Sequence, residues 1–282
     1  MVEIQENMSP QDKHRQQQAE QDEAVKSTLG QIKYKFIVMS GKGGVGKTST
    51  SVNLAVALAQ KGRKVGIMDV DLHGPDVPRM LGLKGMLDVG PSRKLNPMKY
   101  NDNLKAVSIE GLTPDKDDAI IWRGPIKYSA IRQFIADVDW GDLDYLIIDS
   151  PPGTGDEPLT VAQTVSDAKA IIVTTPQEVA LADVRKSINF CRVVKMEIFG
   201  VIENMSGFSC PHCGKDINLF GSGGGERTAQ QLGLAFLGKV PFDPKQVFCG
   251  DAGTCIQDNA ADSAVAKAFE AIAESIISRC PS

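Results

Sequence analysis

No apolar run in the sequence approaches the ~18 residues that a membrane-spanning helix needs, so no segment reads as a transmembrane helix. Basic excess is also missing. The chain has 31 Lys and Arg against 35 Asp and Glu, a formal net charge of −4. A nucleic-acid backbone or an anionic membrane surface would meet no broad positive footprint, so neither is expected as a partner. The N-terminus is polar and Gln-rich, without the basic and then apolar order of a secretory leader, and a cytoplasmic protein is expected. Cysteine is scarce. Six in 282 residues are too few for a disulfide scaffold, and a reducing compartment would keep them as thiols. A close Cys pair in that setting points to metal or redox chemistry.

Hydrophobic residues make up 42% of the chain, enough for a sizeable core. Residues 1–30 do not share in them: Gln16, Gln17, Gln18, Glu20, Gln21, Asp22 and Glu23 mark a flexible polar tail, at most a solvated helix that supplies no core. From residue 31 to 282 short apolar runs alternate with helical segments. Runs at 35–39, 64–69, 143–149, 170–174 and 198–202 are continuous in Val and Ile, the pattern of strands buried on both faces of a parallel sheet. Residues 49–60 are apolar nearly all round and predict a buried helix closed by Gly62. Further helices are predicted at 125–136, 159–165, 182–194 and 263–278, and an irregular loop at 83–103. The fold class expected is α/β: one domain with a doubly wound, mostly parallel sheet flanked by helices, of the P-loop NTPase kind. Ligands on such a sheet bind outside the carboxyl ends of the strands.

One such end carries Gly41-Lys42-Gly43-Gly44-Val45-Gly46-Lys47-Thr48, which matches G-x-x-x-x-G-K-[ST] directly after a strand and before a helix. Glycines there let backbone N–H groups converge on phosphate oxygens, and the helix adds its positive end. Lys47 is expected on the β- and γ-phosphates of ATP, and the Thr48 hydroxyl on Mg²⁺. Two other strand ends are acidic. Asp149, after Leu146, Ile147 and Ile148, reads as the carboxylate of the Mg²⁺ shell. Asp71 is expected to position the attacking water, and Asp69 to organise the same switch beside the metal. Gly153 and Gly155 would let the next loop move with the γ-phosphate. A strand-end Asp can also be a helix cap.

The second lysine of the loop, Lys42, makes it resemble the deviant Walker A motif of the MinD/ParA/nitrogenase iron protein class. That resemblance implies that Lys42 reaches across a homodimer to the partner's nucleotide. The segments DVDLHGPDVPRMLG (69–82), WRGP (122–125), DYLIIDSPPGTGDEPLT (144–160) and ENMSGFSCPHCG (203–214) occur in this order. Together they resemble the Mrp/ApbC family of iron–sulfur cluster carrier ATPases over about residues 31–279.

Cys210 and Cys213 carry that distinction, in a metal-binding insertion near 205–225. C-x-x-C puts two thiolates on one tight turn, and thiolate sulfur suits iron–sulfur clusters and zinc alike. Two ligands are half of what either site usually needs. A symmetric dimer would supply the other pair. The family implies this arrangement, with a labile [4Fe–4S] cluster bridging two subunits and passing to apo-proteins, its recipients. A structural zinc site and a redox dithiol are the competing readings. Cys249 and Cys255 depart from the family pattern and could be extra ligands; Cys191 reads as core and Cys280 as a free terminal thiol. For the base end of ATP, related ATPases imply Asn204 and the turn Pro241-Phe242-Asp243. Arg123 could serve a dimer face or cap a carbonyl. The rival functions are a MinD/ParA-like positioning ATPase with a structural zinc C-x-x-C, and a reductase like the nitrogenase iron protein.

Overall fold

Strands with no polar face must be covered on both sides. That is how they lie in the computed structural model, which describes residues 10–71, 74–91, 94–108, 124–210 and 212–281. The elements among those residues begin with α1 (Pro10–Gly30), β1 (Ile32–Met39), α2 (Lys47–Gln60), β2 (Val65–Asp69), α3 (Val77–Met80), β3 (Met98–Lys99) and β4 (Leu104–Ser108). There follow α4 (Gly124–Asp137), β5 (Leu143–Asp149), α5 (Asp156–Thr164), β6 (Lys169–Thr174), α6 (Glu178–Val193) and β7 (Ile198–Glu203). The last part holds β8 (Phe208–Ser209), β9 (Asp216–Ile217), α7 (Gly224–Gln231), β10 (Phe236–Lys239), α8 (Pro244–Asp251), α9 (Ile256–Asn259) and α10 (Ala264–Arg279). The main sheet runs β10-β7-β6-β1-β5-β2-β4-β3. Its pairings are parallel except that β3 is antiparallel to β4. β8 and β9 form a separate antiparallel hairpin.

Strand periodicity divides the core in two. Phe36, Val38, Tyr145 and Ile147 face α2 and α10, with Leu54, Leu58, Phe269 and Ile276. Ile37, Met39, Leu146 and Ile148 face the other way, onto Ile131, Phe134 and Ile135 of α4. Each large side chain fully buried this way contributes ~1.5–3 kcal/mol. Helix α2 is buried along Val52 to Ala59, and Gly62, at φ 78°, ends it.

One expectation changes. Residues 10–30 are a helix rather than a tail, and its last turns join the core: Val25, Thr28 and Leu29 are buried. Thr28 donates to the Ala136 carbonyl at 2.9 Å, and Arg132 of α4 pairs with Asp22. An apolar pair at i, i+4 makes a stripe too narrow to show in the segment's polar average, yet it suffices against α4. Cys280 is a free thiol as expected, and it is buried, with its carbonyl accepting from the Tyr145 hydroxyl at 2.5 Å. The described residues of the stretch 83–103 contribute β3 and the buried Leu87.

Parallel pairing aligns the carboxyl ends where the acidic residues stand. Asp69 and Asp149 are register partners, as are Val38 and Asp149, and Thr174 and Glu203.

Candidate functional site

The loop 41–48 joins β1 to α2, and Gly41, Gly44 and Gly46 are sterically required. Gly44 and Gly46 have φ of 79° and 78°. A Cβ on Gly41 would lie 2.1 Å from the Asp183 carbonyl oxygen, and one on Gly46 would lie 2.2 Å from Asn204 Nδ2. No side chain caps the start of α2, so its first amides are open to an anionic ligand. Lys42, Gly43 and Gly44 are exposed, Val45 and Lys47 buried.

Asp149 gathers the polar groups at the foot of this loop. Lys47 Nζ lies 3.0 Å from Oδ1, Thr48 Oγ1 donates to Oδ2 at 2.7 Å, and Ser51 Oγ donates to Oδ1 at 2.7 Å. An ammonium, a hydroxyl and a buried carboxylate beneath open helix amides fit a phosphate chain with a hard divalent cation. Sequence reasoning missed Ser51; its signal is a hydroxyl one helical turn after Lys47, among the polar residues that open α2.

Asp69 stands beside Asp149 but spends its oxygens on backbone. Oδ1 accepts from the Asp71 amide at 3.1 Å and Oδ2 from the Val77 amide at 3.0 Å. Complete burial and the neighbouring Asp149 charge hold its carboxyl well above the usual range. Asp69, expected to organise the switch beside the metal, ties the end of β2 to the Asp71 and Val77 amides. Asp71 is half-buried at the end of β2; the two residues after it, and Arg123, lie outside the described residues. Gly153 is tied to the neck of the phosphate loop, its amide donating to the Ser40 carbonyl at 2.9 Å. Gly155 precedes α5.

A cleft of about 340 Å³ continues from the loop, lined by Gly46, Ser49, Asn204, Phe242, Asp243 and Gln246 among others. Asn204 is buried, and its Nδ2 donates to the Val45 carbonyl at 2.9 Å, so it braces the phosphate loop from β7. Gln246 donates to Ser49 Oγ at 2.8 Å. Pro241 opens the turn, and Asp243 caps α8 by accepting from the Lys245 amide at 2.9 Å.

Cys210 and Cys213 sit at the tip of the β8–β9 hairpin. Cys210 N donates to the Lys215 carbonyl at 2.9 Å and Gly214 N to the Cys210 carbonyl at 2.8 Å, with Gly214 at φ 68°. Backbone amides of His212 and Cys213 point at the Cys210 sulfur and hold its thiol below the ordinary range. Cys213 and His212 are exposed. The other cysteines differ. Cys191 and Cys255 are buried, with thiols pushed up by burial to about 11 and about 12. Cys249, the other cysteine of that segment, is half-buried. Among the described residues no cluster of three or more His, Cys, Asp or Glu is arranged for a metal.

Glu203, which sequence reasoning passed over, roots the hairpin. It is fully buried at the end of β7. Oε1 accepts from the Gly223 amide at 2.7 Å and from Ser206 Oγ at 2.5 Å, and Oε2 accepts from the Gly225 amide at 2.5 Å. Its charge meets the positive start of α7. A Glu ending a Val/Ile strand, seven residues before a C-x-x-C, is the signal that could have found it.

A parallel sheet with a phosphate loop after its first strand and acids at the adjoining strand ends defines a nucleotide-binding P-loop NTPase. The chain belongs, more narrowly, to the ParA family described as NUBPL iron-transfer P-loop NTPases, whose model matches residues 31–277. It is 49% identical over 236 residues to an iron-sulfur cluster carrier protein of Methanocaldococcus jannaschii, covering 83% of this chain and 81% of that one. It is 48% identical over 228 residues to the cytosolic Fe-S cluster assembly factor CFD1 of Saccharomyces cerevisiae, covering 78% of each. Among solved structures, a nucleotide-binding protein of Archaeoglobus fulgidus in complex with ADP, with cobalt found in it, superposes with a TM-score of 0.73 at 40% identity. That match covers 82% of this chain and 91% of the other.

Proposed function

We propose that this chain is a cytoplasmic, ATP-dependent carrier of iron–sulfur clusters. It holds a [4Fe–4S] cluster between two copies of itself and passes it to apo-proteins. The observation that carries the reading is the Cys210–Cys213 tip, with Cys213 exposed and Cys210 half-buried, rooted through Glu203 at the end of β7, where the adjoining Asn204 reaches the phosphate loop. One chain brings two thiolates and a cluster takes four, so the homodimer follows from the ligand count. Lys42, exposed at the loop, is suited to reach the partner's phosphates.

Within one subunit Lys47 and the loop amides bind the β- and γ-phosphates, and Thr48 and Asp149 hold the cation. Asp71 orients water, Asp69 fixes the loop that carries it, and Asn204 and residues 241–243 seat the base. Mg²⁺, when bound, neutralises charge on the phosphates. Hydrolysis is slow, because Asp71 is the sole base proposed.

A MinD/ParA-like positioning role calls for a basic amphipathic final helix. Helix α10 instead buries Val265, Phe269, Ile272 and Ile276 and offers Glu270 and Glu274 to Lys61. A structural zinc site remains the second reading, since the amide-supported thiolate of the tip suits zinc as well as iron. Anaerobic reconstitution with iron and sulfide tests both. The double variant Cys210→Ala/Cys213→Ala is expected to fall from about two irons per chain to background, and to lose the dimer fraction that depends on the cluster. Equal iron in variant and wild type would overturn the reading, and zinc uptake without iron would select the second one.

A further inference from the structure

The hairpin carrying the cysteines touches the body of the protein through aromatic rings. Its described residues from 212 to 219 are all exposed. Its two legs instead contribute Phe208 and Phe220, each packed edge-on against Phe242 with ring centroids 5.9 Å apart and interplanar angles of 68° and 75°. Phe242 also lines the cleft beside the phosphate loop. The backbone repeats the connection: Phe242 N donates to the Gly207 carbonyl at 2.9 Å, and Gly207 N to the Gly221 carbonyl at 3.3 Å. Gly207 and Gly221 stand at the two roots of the hairpin with φ of 78° and 86°. Below them Glu203 fixes the return leg at Gly223 and Gly225. The hairpin is thus a small arm on two glycine pivots, with a three-ring cluster on one side and the nucleotide cleft behind the middle ring.

We infer that Phe242 is a positioning residue that couples the cleft to the cysteine pair: a nucleotide base packed in the cleft restricts the Phe242 ring, and Phe208 and Phe220 carry that restriction to the arm. The inference rests on the cluster-carrier reading for its purpose, but not for its geometry. Ligand contacts on one side of a shared ring bias the contacts on its other side, which is how coupling between two sites arises. It also assigns the phenylalanine of the 241–243 turn a task distinct from the base-seating one of its neighbours.

The experiment uses the full-length, reduced, metal-free chain and measures alkylation of Cys210 and Cys213 by iodoacetamide, with and without saturating ADP, by peptide mass spectrometry. In the wild type, ADP is expected to change the alkylation rate of the pair about fivefold, the low end of measured couplings. Phe220→Leu removes a ring outside the cleft. It is expected to bind ADP as the wild type does, by equilibrium dialysis, while its response shrinks below about twofold. Phe242→Leu is expected to lose the response as well. A wild-type response that survives in Phe220→Leu, an absent response in the wild type, or loss of ADP binding in Phe220→Leu would each overturn the inference. None of these outcomes alters whether the wild-type chain takes up iron and sulfide, so the coupling and the carrier reading fail separately.

Discussion

Replacing Lys47 with Ala is expected to lower ATP turnover by at least about 10²–10³-fold, the loss seen when one preorganised donor to a developing charge is removed. The reason is positional. Lys47 is buried at the foot of the phosphate loop, with its ammonium 3.0 Å from Asp149, and nearby Thr48 and Ser51 can donate hydroxyl hydrogen bonds but bring no positive charge. The same change breaks a buried ion pair, which by itself costs up to ~3–5 kcal/mol of stability. Here the cost should fall at the lower end, because two hydroxyls stay on the carboxylate. An ATPase assay and a urea melt on the same preparation separate the effects. A folded variant with lost turnover is the expected pair of results. A folded variant with unchanged turnover would remove Lys47 from the chemistry.

Glu203→Ala should produce a large stability loss, about 4 kcal/mol or more, since hydrogen bonds to a charged group contribute ~1.5–3 kcal/mol each and partners left buried cost more. Three donors lose their acceptor: the amides of Gly223 and Gly225 and the hydroxyl of Ser206. Glu203→Gln keeps one carbonyl oxygen and should recover part of the loss. The effect should also be local. Hydrogen exchange is expected to rise across the root of the cysteine hairpin and the start of α7 before it rises in β1 or β5. If both variants melt like the wild type, the clamp assigned to Glu203 is wrong.

Much of this was legible in the residues because the physics was local. A glycine-rich loop between an apolar run and a helix has few other uses, and uninterrupted Val/Ile runs ending in Asp place those carboxylates on one edge of a parallel sheet. Five strands and the helices between them follow from that patterning. What escaped depended on contacts between distant segments. Leu104–Ser108 is a strand because β2 and β3 flank it, and its own sequence, LKAVS, is too mixed to announce it. Helix α1 reads as a polar tail because two apolar residues decide its docking. The hold of Asp69 on the Val77 amide depends on the chain turning back at α3. Glu203 and Phe242 gain meaning when the chain returns from the hairpin to both of them.

The central claim is that one cluster is shared by two chains, and iron counting combined with mass in solution tests it most directly. After anaerobic reconstitution, a species of twice the chain mass should carry about two irons and two sulfides per chain, the composition of one [4Fe–4S] centre on four thiolates. About four irons on a single chain, or a dimer whose formation ignores iron altogether, would contradict the account.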